Sequence, residues 1–168
     1  MVATSRKKVP LRYLPFRLSK KDRSKQSREL RKSRKMYKKG VYHTRAKVKT
    51  FKSKRSPHII KAEKMYNTSK IAATDELAKK TNCSKQALAK IINKGAGAYF
   101  SSGSRPNQTG QSWGIARLAS SITGGKAALV DYSILEEGCD NKRSKAFLLA
   151  KVLKKRMPRL RKSPKVFE

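Results

Sequence analysis

The sequence predicts a mainly α-helical protein, in which a small core is flanked by two extended, strongly basic arms. Three observations lead to this prediction. Capping residues precede several segments whose apolar residues recur at helical spacing. The middle of the chain is nearly neutral while both ends are rich in Lys and Arg, and a long Gly/Ser-rich stretch interrupts the helical pattern. We therefore expect a basic arm over residues 1–66, a helical core over residues 67–157 and a basic tail over residues 158–168.

Charge is the strongest signal in the composition. The 168 residues include 44 Lys and Arg against 10 Asp and Glu, a net charge of +34. Residues 1–66 carry +21, residues 67–140 carry +3 and residues 141–168 carry +10. Solubility of a small domain needs a net charge of only about 2 to 8. The excess predicts a polyanionic partner, which could be DNA or RNA, an anionic membrane surface, or acidic proteins in an assembly.

The first arm combines an extended segment with a helix. Residues 9–18 mix aromatic residues, prolines and arginines, which favours an extended conformation lying across a partner. Ser19 is a good N-cap for a helix over residues 20–39. Leu30 and Met36 are the only large aliphatic residues of this helix, so we expect it to have no core to join and to fold against anions.

Residues 46–51 alternate between apolar and basic or polar side chains, which predicts a short strand with one basic face. Aromatic and basic residues at neighbouring positions suit contact with phosphates and bases. An edge strand of the core would show the same pattern, so both interpretations stay open.

The clearest local pattern of the core is a pair of helices within residues 74–95. Thr74 is a good N-cap, and the two acidic residues that follow it suit the first turn of a helix. Asn82 can adopt a left-handed conformation at a turn, and Ser84 can cap the second helix. Gly95 is expected to end it.

The spacing within this pair resembles that of helix-turn-helix proteins. Its small core would contain Leu77, Ala78, Cys83, Leu88, Ile91 and Ile92. The second helix would expose Lys85, Gln86, Lys90, Asn93 and Lys94, which could reach phosphates or base edges in a major groove. Two helices joined by a tight turn are also common as plain core packing, so DNA contact and packing are both open.

The Gly/Ser-rich stretch covers residues 95–114 and is longer than most loops, which favours a shaped functional surface. Gly95, Gly97 and Gly103 could present backbone amides to an anion, with Arg105 beside them. The stretch contains no nucleotide-binding fingerprint. The alternative is a structural loop folded around Tyr99, Phe100 and Trp113.

The rest of the core also reads as helical. Ser112 is a candidate cap for a helix that runs to Ile122 and ends at Gly124. Residues 126–137 fit another helix or a pair of strands, and residues 141–157 fit a basic amphipathic helix. The inward residues of this last helix are expected to be Phe147, Leu148, Val152 and Leu153.

The residues that could carry metal, redox or catalytic chemistry are few. Cys83 and Cys139 lack metal-ligand spacing, and both histidines lie in the basic arm, so we expect no metal site and no cofactor. The two cysteines could form a disulfide, but we expect reduced thiols in an intracellular protein. No Ser, His and Asp set is available in the core, so we expect no enzymatic activity and no small-molecule substrate.

Two runs of the core resemble a known family: residues 95–109, GAGAYFSSGSRPNQT, and residues 112–126, SWGIARLASSITGGK. They are similar to small basic proteins encoded by large double-stranded DNA viruses, notably those that infect algae. The resemblance implies a viral origin and a place in the virion after synthesis in the host cytoplasm or nucleus. It implies no catalytic or binding residue.

Three functions therefore compete. The expected one is a virion structural protein, a minor capsid component whose basic arms bind neighbouring capsid proteins or other anionic surfaces. The alternative is a nucleic-acid-binding protein that docks through its arms and the helix pair. An enzyme fits the sequence least well.

Overall fold

The computed structural model describes residues 6–168, so the first five residues of the predicted arm lie outside the described residues. The described residues form eight helices and one two-stranded sheet, which confirms the mainly helical prediction. The helices are α1 (Lys20–Tyr37), α2 (Pro57–Met65), α3 (Asp75–Thr81), α4 (Lys85–Ser101), α5 (Gly110–Ile122), α6 (Ala127–Val130), α7 (Tyr132–Gly138) and α8 (Lys145–Arg156). None of them has the length and apolar composition needed to cross a membrane.

The sheet was not predicted. Strand β1 (Lys8–Pro10) pairs with strand β2 (Lys165–Phe167) in antiparallel orientation, and Val9 lies opposite Val166. A 3₁₀ turn over Leu11–Tyr13 follows β1 directly. The segment predicted to be extended is therefore partly a strand, and it pairs with the end of the predicted basic tail.

The chain divides into two compact units. The first contains residues 6–53, 98–109 and 161–168, and the second contains residues 54–97 and 110–160. This division differs from the predicted boundaries after residues 66 and 157, because the prediction followed charge and the units follow packing. The first unit carries 24 Lys and Arg against 3 Asp and Glu, and the second carries 20 against 7.

The second unit is built on an apolar core. Its largest fully buried apolar side chains come from four helices and are Leu77, Leu88, Ile91, Leu118, Ile122 and Leu135. Each such side chain contributes roughly 1.5–3 kcal/mol through burial. The residues predicted as the core of the helix pair are buried, and Ala78 packs against them as a partly buried neighbour.

The predicted starts of the two paired helices are confirmed. The backbone amide of Leu77 donates to Thr74 Oγ1 at 3.2 Å, and that of Ala87 donates to Ser84 Oγ at 3.1 Å. Asn82 has a φ of +50° and makes the left-handed turn between them. Local capping chemistry therefore fixes where α3 and α4 begin.

The predicted end of the second helix at Gly95 is wrong, because α4 continues to Ser101. Gly95 serves a helix crossing instead: a Cβ there would lie 2.7 Å from the Cα of Gly114 in α5. A Cβ on Gly114 would lie 2.4 Å from the carbonyl oxygen of Ile92. The two glycines therefore let α4 and α5 approach closely, and the chain leaves α4 at Gly103, whose φ is +139°.

The longer helix shortens the predicted loop. Residues 102–109 connect α4 to α5, whereas residues 95–114 were expected to do so, and α5 begins at Gly110, ahead of the expected cap at Ser112. Residues 126–137 form two short helices, which favours the helical alternative. In α8 Phe147 is buried as predicted, together with Ala146 and Ala150, and Leu153 packs against the core. Leu148 and Val152 are exposed, contrary to the prediction.

Helix α1 has a core to join, which corrects the expectation that it has none. Its buried face is mostly polar and consists of Asp22, Gln26, Ser27, Leu30 and Ser33. Ser19 caps the helix as predicted, accepting a hydrogen bond from Asp22 N at 3.1 Å. The Gln26 amide donates to the Tyr13 carbonyl at 3.3 Å. The number of apolar residues in α1 does not reveal this face, because most of its buried side chains are polar and are satisfied by hydrogen bonds.

Arg45 lies at the centre of the first unit with only 6% of its surface exposed. Its guanidinium sits 3.7 Å from the centroid of the Tyr99 ring and donates to the Tyr99 carbonyl at 2.7 Å. It also donates to Ser33 Oγ at 3.0 Å and Ser104 Oγ at 2.6 Å. Burial lowers the pKa of Arg45 because it removes water from the charged form. One buried cation thereby ties three segments of the first unit together.

Residues 46–51 form no strand in the structure, contrary to the prediction. The backbone of Val48 instead pairs with the side chain of Asn107: Val48 N donates to Oδ1 at 2.8 Å, and Nδ2 donates to Val48 O at 3.0 Å. Val48 and Phe51 pack with Leu18 in a small apolar cluster. The side-chain amide supplies the donor and acceptor that a neighbouring strand would supply. Val48 and Phe51 are buried three residues apart and Ala46 is exposed, so burial does not alternate along this segment.

Asp22 attaches residues 49–51 to the start of α1, and its titration gives a first prediction. The carboxylate accepts hydrogen bonds from the Thr50 hydroxyl at 2.6 Å and the Thr50 amide at 2.7 Å. These bonds, the hydroxyl first, lower the pKa of Asp22. The stabilisation is therefore present above the unfolded pKa of about 3.9 and is lost as pH falls through the lower folded value.

We expect Asp22→Asn to be less stable than wild type at neutral pH and to lose less stability on acidification. Thermal melting between neutral and strongly acidic pH measures both effects. Parallel pH profiles for the two proteins would contradict this assignment.

The expectation of reduced thiols is also wrong, because Cys83 and Cys139 form a disulfide. An isolated antiparallel bridge places the two residues opposite each other. Ser84 N donates to Gly138 O at 2.7 Å on one side of the pair, and Asp140 N donates to Asn82 O at 2.8 Å on the other. Residues paired in this way bring their side chains close together. Two short backbone segments far apart in sequence thus set up the cross-link.

Candidate functional site

The residues predicted to contact a ligand from α4 are all on its surface. They are Lys85, Gln86, Lys90, Asn93 and Lys94. Gln86, Lys90 and Asn93 share one face, because positions i, i+4 and i+7 of a helix lie one above another. Lys85 and Lys94 have carboxylate partners: Lys85 Nζ lies 3.7 Å from Asp75, and Lys94 Nζ lies 3.4 Å from Asp131. Two of the three predicted cations of α4 are therefore already paired.

Asp131 is the centre of a buried ion cluster in the second unit. Its side chain is fully buried and accepts from Arg117 Nε at 2.9 Å and Arg117 Nη2 at 2.7 Å. Ser121 Oγ donates to it at 2.7 Å. Both carboxylate oxygens therefore have protein partners, which tie Asp131 to α5 and, through Lys94, to α4.

The exposed side of α1 forms a continuous basic surface. The basic face of α1 consists of five exposed residues of the helix and one exposed residue of the turn that follows it: Lys21, Arg28, Arg31, Lys32, Lys35 and, in the turn, Lys39. It lies opposite the buried face of the helix, and its helical part, from Lys21 to Lys35, extends over a rise of about 21 Å. Among residues 6–168 no ion pair involves any of the six. Their spacing could have been read from the sequence, but only the packing of α1 shows which side faces outward.

Arg105, the remaining predicted site residue, lines a cleft of about 450 Å³ in the first unit. The arginine cleft is defined by Arg12, Pro15, Phe16, Arg17, Phe51 and Arg105. Its apolar floor and its three guanidinium groups come from three separate parts of the chain. Only Arg105 of these six was singled out as a candidate contact from the sequence.

The predicted anion-binding loop of Arg105 does not form from the three glycines expected. Gly95 and Gly97 lie inside α4, where backbone amides are used by helical hydrogen bonds. Gly103 lies two residues before Arg105, but its amide donates to the Ala98 carbonyl at 3.0 Å. The neighbours of Arg105 in the cleft are aromatic and cationic side chains.

The contacts within the cleft fix two of its members and leave one aromatic ring open. The Arg17 guanidinium lies 4.6 Å from the centroid of the buried Phe51 ring, and Arg12 Nη1 donates to Ser163 Oγ at 2.9 Å. Phe16 is 75% exposed, and Arg23 lies 5.8 Å from its ring centroid. The cleft can therefore offer an open aromatic surface next to fixed positive charge.

The remaining candidates for metal chemistry are accounted for within the described chain. No three or more His, Cys, Asp and Glu side chains of residues 6–168 are grouped as a metal site. His43 Nε2 lies 2.9 Å from Glu29 Oε2, and both cysteines are in the disulfide. Burial by itself would raise the pKa of Glu29, but hydrogen bonds from Ala46 N and His43 outweigh it and the pKa is lowered.

Comparison with known proteins identifies a family. Searches of curated proteins and of solved structures found no match. The family described as "Family of unknown function (DUF5824)" matches residues 10–142. Its description gives neither source nor activity, so the viral resemblance of the sequence stays a prediction. The match covers more than half of the chain and includes the basic face of α1, the arginine cleft up to Arg105 and most of the helical core, and the protein therefore belongs to the DUF5824 family.

Proposed function

We propose that this protein is a non-enzymatic nucleic-acid-binding protein whose main phosphate contact is the basic face of α1. The observation that carries the proposal is a row of six exposed cations, five along a helix whose opposite face is buried and one in the turn that follows it. Packing holds the helix in place before any ligand arrives. Binding therefore has to order side chains but not a backbone, which favours affinity.

The charge of the surface sets the expected strength and salt dependence. Each phosphate neutralised by Lys or Arg releases counterions, so affinity for duplex DNA falls with salt with a slope of about −0.9 per contact. Six contacts along this basic face correspond to a slope of roughly −5 on a log-log scale. Polyanion binding of this kind does not read sequence, and it suits a protein that coats or condenses nucleic acid.

Helix α4 is a weaker candidate for the same role. A helix-turn-helix mode of binding would use Gln86, Lys90 and Asn93, which remain available on one exposed face. Lys90 is the only cation of these three, and the ion pairs of Lys85 and Lys94 would have to be given up for phosphate contact. We therefore propose α4 as a secondary contact and α1 as the primary one.

A triple substitution on α1 tests the proposal. We expect Arg28→Gln, Arg31→Gln and Lys35→Gln together to weaken duplex binding and to reduce the salt slope by roughly 0.9 per residue removed. Fluorescence anisotropy at several salt concentrations measures both quantities. All three residues are exposed, so thermal melting of the variant should match wild type.

Two further variants make the comparison specific. Lys145→Gln, Lys151→Gln and Lys155→Gln remove the same charge from exposed positions of α8 and are expected to change binding much less. Gln86→Ala, Lys90→Ala and Asn93→Ala together measure how much α4 contributes to duplex affinity. If the α1 and α8 triple variants lose duplex affinity equally, binding depends on net charge alone and not on the basic face of α1. Absence of wild-type binding at low salt would reject the proposal.

A virion structural protein is the second candidate, favoured by the resemblance of residues 95–109 and 112–126. In this role the protein would be a minor capsid component, with capsid proteins or an anionic membrane surface as partners. Fractionation of purified particles after nuclease treatment separates the two functions. A capsid component stays with the shell, whereas a genome-bound protein is released with the digested DNA.

A further inference from the structure

We propose that the arginine cleft binds an unstacked base of single-stranded nucleic acid, with Phe16 as the surface on which the base stacks. This inference rests on the proposed function and adds a preference that the basic face of α1 does not provide. The face of α1 offers only charge, which duplex and single strand share. The cleft offers charge next to an open aromatic ring.

Phe16 is the observation from which the inference begins. Its side chain is 75% exposed although it adjoins an apolar floor formed by Pro15 and Phe51. An aromatic ring left open beside an apolar cleft can gain contact area from a flat ligand that lies on it. Base stacking on aromatic side chains is the usual means by which proteins hold unpaired bases.

The charge of the cleft identifies the kind of flat ligand. Arg12, Arg17 and Arg105 border it, and none of its lining residues is acidic. A ligand that satisfies both features carries a planar ring and a phosphate. Arg17 is held over the Phe51 ring at 4.6 Å, so one phosphate-binding group is already fixed in place. A guanidinium so placed can also stack on a base.

Geometry excludes a base that remains in a duplex. Paired bases are stacked inside the helix and cannot enter a cleft without being extruded, which costs a few kcal/mol. The volume of about 450 Å³ lies within the range of small-ligand sites, so one nucleotide fits. No feature of the cleft distinguishes ribose from deoxyribose, and unpaired DNA and unpaired RNA present the same base and phosphate.

The experiment compares four ligands by fluorescence anisotropy: oligothymidylate, oligouridylate, an abasic oligonucleotide of the same length and a DNA duplex. Phe16→Ala is expected to weaken binding of the first two by roughly fivefold or more, the effect of losing one stacked base. It should leave the abasic strand and the duplex unchanged. Comparison of oligothymidylate with oligouridylate shows whether the site accepts DNA, RNA or both.

Two variants control for aromatic character and for nonspecific effects. Phe16→Trp keeps a stacking surface and should retain wild-type affinity for single strands. Phe167→Ala removes another exposed phenylalanine of the first unit that does not line the cleft, and it should have no effect. Equal single-strand affinity of Phe16→Ala and wild type overturns the inference.

The outcomes separate this inference from the proposed function. If the α1 variant loses duplex and single-strand binding while Phe16→Ala loses neither, the proposed function stands and the cleft has no role in binding. If wild type binds none of the four ligands at low salt, both are rejected. Loss limited to single strands in Phe16→Ala supports the inference.

Discussion

Replacing Arg117 with Ala is expected to lower the free energy of unfolding by about 3–5 kcal/mol, because the buried carboxylate of Asp131 loses its main partner. Arg117 donates two hydrogen bonds to Asp131, at 2.9 and 2.7 Å. The Asp131 side chain is 0% exposed, so in the folded protein it has no solvent contact of its own to offset the loss of the guanidinium. Lys94 Nζ, at 3.4 Å, is the only other cation paired with this carboxylate among the described residues.

The reverse substitution should be milder, and this asymmetry identifies the mechanism. Asp131→Ala leaves the charge on Arg117, whose side chain is 17% exposed and can turn toward solvent. A double variant, Arg117→Leu with Asp131→Leu, removes both charges and should be more stable than Arg117→Ala alone. Urea denaturation followed by circular dichroism measures all three. A loss in Asp131→Ala as large as that in Arg117→Ala would show that packing, and not the uncompensated charge, dominates.

Local chemistry explains which parts of the fold the sequence could predict. Ser19, Thr74 and Ser84 begin helices because a side-chain oxygen accepts from the amide three residues later, and this requires no distant partner. The buried residues of the helix pair follow from apolar spacing within about twenty positions. These cap and core predictions, which depend on neighbours in sequence, were therefore correct.

Gly95 shows where prediction from neighbouring residues fails. Gly95 could end a helix by adopting a left-handed conformation, or it could allow a second helix to approach. The sequence of α4 supports both, and the choice is made by Gly114, which lies in another helix and meets Gly95 at its Cα. The predicted loop failed for the same reason, because its first residues belong to α4.

The candidate sites were likewise only partly predictable from the sequence. The basic character of α1 was evident in the sequence, but its contact face became definable only once Gln26 and Ser33 were found buried. The buried polar residues of α1 recur at helical spacing, but a search for apolar residues at that spacing does not detect them. The arginine cleft combines residues 12–17 with Phe51 and Arg105, and no local pattern links these three segments.

Reduction of the disulfide between Cys83 and Cys139 is expected to destabilise the second unit by about 4 kcal/mol at 25 °C, since the closed loop is long. The cysteines are 56 residues apart, and both lie within the second unit, so the cross-link restricts the unfolded chain over α4 to α7. The folded unit should change little, because the backbone bridge beside the disulfide holds the same segments together.

Denaturation with and without a reductant measures this effect, and a double variant provides the control. Cys83→Ser with Cys139→Ser should melt like the reduced wild type and should not respond to reductant, whereas oxidised wild type should be more stable than both. Titration of free thiols in the purified protein shows which form exists. Because disulfides persist in oxidising surroundings and are rare in reducing ones, the thiol count in native material also reports the compartment in which the protein acts. A wild-type protein whose denaturation is unaffected by reductant, with two titratable thiols, would show that the cross-link does not form and that the bridge of Ser84 and Asp140 joins these segments alone.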